Sequence, residues 1–256
     1  MDPVFSERTL SFLRRLDRNN DREWFHARRE EFESEVRAPL VRLVTRLSQD
    51  LPWFAPELIA DPKISLFRQW RDTRFSAVKT PLKTNVAAVF PHKSLGRNNG
   101  AALYFEIAPK WVWMGGGLYA PEPSQMHAVR DHVATHHAEL ESLVTSREFR
   151  RIGGLKGEQL SRVPRGFLKE HPAALYLQHR QFLGFREEEA EFATRPDFYR
   201  QLLATFKLLA PLCRFLNEPI LALPRAELAQ MRQHKSATVN SEGMKTRRQQ
   251  VRRTGH

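Results

Sequence analysis

The chain has a single cysteine, Cys213, among its 256 residues. One cysteine excludes an intramolecular disulfide and any zinc or iron–sulfur site that needs several thiolates. Cys213 stands in an apolar helical pattern and reads as a small buried hydrophobe. No run approaches the ~20 apolar residues of a membrane-spanning helix. Met1 to Leu13 carries early charge and no long apolar stretch, so no signal peptide is expected and the expected setting is cytoplasmic. Acids are the other shortage: 29 Asp and Glu stand against 41 Lys and Arg, a formal charge of +12. That balance favours anionic partners. A phosphate-bearing small molecule or nucleic acid is expected, and a membrane is not. Oligomeric state is left open.

Against these shortages stand 17 Phe and 5 Trp in a chain that is 41% hydrophobic, enough for a sizeable aromatic-rich core. Ser6 is placed to cap a helix ending near Leu16, and the turn Arg18 to Asp21 to cap another from Arg22. Apolar residues then recur at helical spacing to Arg37. Pro39 interrupts them, and the pattern resumes from Pro39 to Asp50. After a proline-rich stretch the period falls to two. Strands are expected at Ile64 to Arg68, Asn85 to Phe90, Ala101 to Ala108 and Trp111 to Met114, with Gly115-Gly116-Gly117 ending the sheet. Helices are expected from Pro123 to Val144, over Arg147 to Ile152, from His171 to His179, and from Pro196 through a kink at Pro211 to Leu216. Gln181 to Phe185 reads as a short strand. Strands in succession without helices between them indicate an antiparallel or mixed central sheet packed by N- and C-terminal helices, an α+β fold. Residues 1–222 read as a single domain. Residues 223–256, with eight Lys or Arg against Glu227 and Glu242, read as a basic disordered tail.

The segment Lys63 to Thr84, KISLFRQWRDTRFSAVKTPLKT, concentrates charge. Arg68, Arg71 and Arg74 recur every three residues, Lys63, Lys79 and Lys83 join them, and Asp72 is the lone acid. Two like charges 6 Å apart repel by about 0.7 kcal/mol in water and about 3 kcal/mol at an effective dielectric near 20. Acids elsewhere in the fold, Asp61 and Glu106 among them, or a bound anion must offset that. In a helical turn the arginines fall within an arc of about 120°. In a strand Arg68 and Arg74 share one face and Arg71 takes the other. The planar guanidinium fork suits phosphate and carboxylate.

This segment resembles the hallmark of a widespread, mostly bacterial family of unknown function, domain-of-unknown-function family 2461: R-x-x-R-D-x-R-F-S-x-[D/N]-K-x-P-Y-K-T. Arg68, Arg71, Asp72, Arg74, Phe75, Ser76, Lys79, Pro81, Lys83 and Thr84 match. Asn20 to Phe25 (NDREWF), Gly115 to Pro121 (GGGLYAP), Val163 to Phe167 (VPRGF) and Phe206 to Asn217 (FKLLAPLCRFLN) are similar to its other signatures, in the same order, over roughly residues 6–220. Two positions depart: Val78 stands where the family has an acid or amide, and Leu82 where it has tyrosine. The resemblance carries no activity with it.

The expected function is anion binding, of a phosphorylated ligand or a nucleic-acid backbone. Its residues are Arg68, Arg71, Asp72, Arg74, Lys79, Lys83 and Thr84, and Gly115, Gly116, Gly117 and Arg165 form a pocket wall. Two alternatives are open. One is a phosphoryl- or nucleotide-processing enzyme with Lys79 or Asp72 in proton transfer, its site partly degenerate at Val78 and Leu82. The other is a structural or interaction protein whose arginines form an internal ion-pair network. No catalytic residue is named and no cofactor is expected. No metal is expected either: His132 and His136 lie one helical turn apart, but Val133 follows where a zinc protease has glutamate. The run Glu187 to Glu189 with Glu191 reads as a solvated face. Trp111 and Trp113 share a strand face and read as core in preference to a base-stacking platform.

Overall fold

A computed structural model describes residues 3–72, 79–97, 99–224 and 226–228. In chain order its regular elements are α1 (Glu7–Arg18), α2 (Arg22–His26), α3 (Arg29–Phe32), α4 (Ala38–Asp50), α5 (Pro62–Ser65), β1 (Val86–Phe90), β2 (Ala102–Ile107), β3 (Trp111–Leu118), α6 (Pro123–Thr135), α7 (His137–Val144), α8 (Arg147–Arg151), α9 (Ala174–Leu177), β4 (Phe182–Glu189) and α10 (Phe198–Leu221). The four strands form one antiparallel sheet in the order β1-β2-β3-β4, and the fold is α+β. Among the described residues no helix is long and apolar enough to cross a membrane.

Local chemistry explains most boundaries. Ser6 and Thr9 form a capping box on α1, and Asp21 caps α2 by accepting from the Trp24 N–H at 2.8 Å. Between α3 and α4 the chain does not break at Pro39, as the sequence suggests. A π-turn over Glu33–Arg37 carries it through. Proline has no N–H for the carbonyl four residues back, at Glu35. The hydroxyl of the fully buried Thr9 donates to that carbonyl instead, at 2.6 Å.

Several expectations change: the helix expected from Pro123 to Val144 divides at His136 into α6 and α7, the one from His171 to His179 shrinks to α9, and the strand from Gln181 extends to Glu189. Ile64 to Arg68 is not a strand: Asp61 accepts from the Lys63 N–H at 2.7 Å, and Pro62 opens the one-turn helix α5. The glycine triplet does not end the sheet; it continues β3 to Leu118. α10 runs past Pro211 and Pro219 as one 24-residue helix. An interior proline costs about 3 kcal/mol. Burying Leu202, Phe206, Leu209, Leu212 and Leu216 recovers about 1.5–3 kcal/mol each, so packing prevails.

One face of the sheet builds the main core. Leu103, Phe105, Ile107, Val112 and Met114 point there, all fully buried. Gly116 and Gly184 pair across β3 and β4 and admit α10: a Cβ on Gly184 would lie 2.5 Å from Leu209 Cδ2, and one on Gly116 3.3 Å from Cys213 Sγ. Phe5 stacks on Phe105 at 5.8 Å, joining the N-terminal segment to this core. Leu223 and Leu228 also pack on it; the rest of the expected tail, apart from Pro224, Ala226 and Glu227, lies outside the described residues.

Candidate functional site

The basic segment folds as a short two-stranded ribbon beside the sheet. Its first arm starts against β1, where Leu66 bridges Ala88 and the Phe67 N–H donates to the Ala87 carbonyl at 3.1 Å. The arms then pair with each other. The Arg71 N–H donates to the Pro81 carbonyl at 2.8 Å, the Lys83 N–H to the Gln69 carbonyl at 2.9 Å, and Trp70 bridges Leu82. The Gln69 side chain also donates to the Lys83 carbonyl.

Alternation along the ribbon sorts its side chains. Trp70 and Leu82 turn inward. Trp70 meets Phe25 edge-on at 5.7 Å, and Leu82 is fully buried in the main core. Phe67, Arg71 and Lys83 take the other parity. Lys83 Nζ sits over the Phe67 ring at 5.1 Å. Arg71 Nη1 donates to Thr80 Oγ1 at 3.1 Å, and burial lowers its pKa from the ordinary arginine value. Arg68, Lys63 and Lys79 are exposed; Asp72 and Thr84 are half-buried. Arg74 and Val78 lie outside the described residues.

Asn20 holds the ribbon from 62 residues away. Its Nδ2 donates to the Leu82 carbonyl and its Oδ1 accepts from the Leu82 N–H, both at 3.0 Å. The side-chain amide thus pairs with Leu82 as a neighbouring strand would. The NDREWF turn is therefore a structural partner of the basic segment, through Asn20, the Asp21 cap and Phe25 under Trp70. Leu82 is a packing position in this chain.

Arg97, which sequence reasoning passed over, joins the ribbon. Its Nη2 donates to the carbonyls of Ser65 (3.2 Å) and Leu66 (2.7 Å), and its guanidinium lies 4.0 Å from the Phe67 centroid. The only signal in the sequence was a lone arginine inside a polar turn. Two of the acids considered as arginine partners have contacts of their own. Glu106 accepts from Tyr104 Oη at 2.7 Å and Trp111 Nε1 at 3.0 Å, and Asp61 caps α5.

Phe67 opens onto the second face of the sheet. Tyr104, Glu106, Trp111, Trp113, Gly115, Phe185 and Glu187 lie on that face by strand register. Trp111 and Trp113 share a face as expected, but it is the one turned away from the main core, and both are half-buried. Phe67 meets Tyr104 at 6.2 Å, Tyr104 meets Trp113 at 5.3 Å, and Trp113 meets Phe185 at 4.7 Å. Lys156 bridges Leu183 at the far edge and holds its Nζ 3.9 Å from the Phe185 centroid. Burial lowers the Lys156 pKa, and the Glu187 carboxylate opposes that shift.

The glycine triplet serves this face through space. A Cβ on Gly115 would lie 2.7 Å from the Trp113 ring and from Phe185 Cβ, so Gly115 lets the indole lie flat. Gly117 has φ +126°, and a Cβ there would fall 2.0 Å from the Phe182 carbonyl oxygen. Arg165 is exposed in the loop 163–167, whose Val163 and Phe167 pack on the core. His132 and His136 stack at 4.3 Å, with His132 against Phe215 at 4.5 Å. Among the described residues no three His, Cys, Asp or Glu are grouped to hold a metal. Arg186 pairs with Glu188 at 2.5 Å and Arg14 with Glu191, so two acids of the run are tied within the protein.

No curated protein matches the chain. A family model described as "Conserved hypothetical protein (DUF2461)" matches residues 8–215. That span takes in the Asn20 turn, the basic ribbon, the sheet and most of α10, and the chain belongs to the DUF2461 family of conserved hypothetical proteins.

Proposed function

We propose that the domain binds a phosphate-bearing anion at the basic ribbon. The observation that supports this is Arg71 and Lys83 on one ribbon parity, with Arg97 beside them over Phe67. Arginine forks and a lysine point charge suit phosphate oxygens. Lys79 adds a further cation, Arg68 and Thr84 flank the site on the Trp70 and Leu82 parity of the ribbon, Asp72 orders the arginines, and Arg74 joins on the strength of the sequence. The backbone of Gly115 to Gly117 and the exposed Arg165 belong to its surround. A cytoplasmic setting accords with such a ligand.

A thermal-shift screen of nucleotides, sugar phosphates, inorganic phosphate and oligonucleotides tests the reading. A ligand at 100 times its Kd adds about 2.7 kcal/mol to the native state. For a domain of this size each kcal/mol moves Tm by about 2–4 °C, so about 5–11 °C is expected. Arg68→Ala and Lys83→Ala together remove charge without touching the core and should abolish the shift. If no compound stabilises the wild type more than this double variant, anion binding at the ribbon is wrong.

A second reading, that the motif is structural, draws support from the burial of Leu82 and the Asn20 clamp. It expects the double variant to lose more than about 5 °C of Tm without any ligand. The binding reading expects a loss below about 4 °C, since two substitutions outside the core cost roughly 0.5 kcal/mol or less each and each kcal/mol moves Tm by about 2–4 °C.

A further inference from the structure

We propose that the second face of the sheet is a stacking platform for a single-stranded nucleic acid, with bases on the aromatic row and phosphates at the cations closing its two ends. For its phosphates this rests on the anion-binding reading; it adds the bases.

The row comprises Phe67, Tyr104, Trp113 and Phe185, one ring from each of four chain segments, so it crosses the strands instead of running along one. Neighbouring centroids are 6.2, 5.3 and 4.7 Å apart. With Lys83 and Arg97 over Phe67 and Lys156 over Phe185, the rings left for bases are those of Tyr104 and Trp113 between them. None of the four rings joins the main core. Phe67, Tyr104 and Trp113 stay half-buried on a face that a purely structural cluster would close over.

Charge on this face is ordered. Lys83 and Arg97 lie over Phe67 at one end, and Lys156 lies over Phe185 at the other. Carboxylates occupy the middle: Glu106, holding Tyr104 and Trp111, and Glu187, paired in register with Trp113. A phosphate is repelled from the middle and attracted to the ends, while a base amino group can donate to a carboxylate between them. Separated cation sets suit two phosphates of one strand better than the single phosphate group of a mononucleotide. The formal charge of +12 adds long-range attraction for a polyanion.

The test uses the full chain, a fluorescein-labelled eight-nucleotide oligo-U or oligo-dT read by anisotropy, and inorganic polyphosphate and UMP as competitors. Trp113→Ala should weaken oligonucleotide binding about tenfold or more, the scale of one lost base–aromatic stack. It should leave polyphosphate affinity within about twofold, and Trp113→Phe should retain binding within about threefold. UMP should compete only at far higher concentration. Lys156→Ala should lower the slope of log K against log salt by about 0.7, one phosphate contact on a single strand; that measurement stands even if Trp113→Ala fails to fold. If polyphosphate binds while Trp113→Ala holds the oligonucleotide as tightly as wild type, or Lys156→Ala leaves the slope unchanged, the platform is overturned and ribbon anion binding survives. Equal affinity for UMP also overturns it. If neither polyphosphate nor oligonucleotide binds, the platform falls, and ribbon anion binding stands or falls with the thermal-shift screen.

Discussion

Replacing Asn20 with alanine removes two hydrogen bonds at once and tests whether the NDREWF turn holds the basic ribbon. The Asn20 amide satisfies both the N–H and the carbonyl of Leu82, each at 3.0 Å, and Leu82 is fully buried. A hydrogen bond contributes about 0.5–1.5 kcal/mol net, and a buried polar group left unsatisfied costs about 1–3 kcal/mol. With two groups stranded, Asn20→Ala should cost about 2–4 kcal/mol. At about 2–4 °C per kcal/mol for a domain of this size, a 3 kcal/mol loss lowers Tm by about 6–12 °C. Urea unfolding should show a lower midpoint at unchanged slope, because the exposed surface is the same. Amide exchange adds the local view: the Arg71, Leu82 and Lys83 amides should lose protection before those of β2 and β3, as expected of a sub-global opening. Asn20→Asp keeps an acceptor for the Leu82 N–H but sets a carboxylate against its carbonyl, so it should restore less than half the loss. A change below about 0.5 kcal/mol for Asn20→Ala would refute the reasoning, because it would mean that Leu82 finds water or another partner at no cost.

Two further perturbations follow from the geometry. Gly117→Ala combines φ +126° with a Cβ 2.0 Å from the Phe182 carbonyl oxygen, so β3 and β4 must separate; a loss of more than about 3 kcal/mol, or no soluble folded protein, is expected, and a near-native Tm would show that the β3–β4 register is not as described. Acidification should destabilise the fold through His179. Its Nδ1–H donates to the Gln181 carbonyl at 3.0 Å, its Nε2 accepts from Gln159 Nε2 at 2.9 Å, and burial lowers its pKa from 6.5. The unfolded chain takes up a proton below about 6.5 that the folded chain refuses, so this stability is complete above that pH and is lost as pH falls toward the folded value. His92 and His132 shift the same way, so His179→Gln should shallow, not abolish, the fall in urea stability between pH 7.5 and 5.5; an unaltered slope would remove His179 from the account.

Much of the framework was legible because its signals are local. Ser6 and Asp21 cap helices in the way their side chains dictate, and β1 and β2 start and end within a residue or two of the two-residue hydrophobic period. The misreadings share one cause, which is a local signal outweighed by packing or by a partner far along the chain. Pro39 reads as a break because the residue that answers its missing hydrogen bond is Thr9, 26 positions from the Glu35 carbonyl. The last helix reads as ending at Leu216, yet α10 runs on to Leu221, because the burial of Ile220 in the core is not visible in a window of sequence. The triplet Gly115 to Gly117 reads as a terminator, since glycine weakens strands, yet each glycine answers a specific close approach across the sheet.

The candidate site divides along the same line. By itself the sequence determined that the chain is a strongly basic α+β protein with an arginine- and lysine-rich motif, because composition, period and motif order are properties of neighbours along the chain. Only the tertiary structure decided that Arg71 and Lys83 share one parity of the ribbon while Leu82 is buried behind it, and that Asn20 clamps it from the N-terminal turn. The tertiary structure alone also brought in Arg97 and Lys156 and aligned four rings from four segments across one sheet face. Those relations depend on strand register and on hydrogen bonds between residues tens of positions apart, and such distances come into being only when the chain closes on itself.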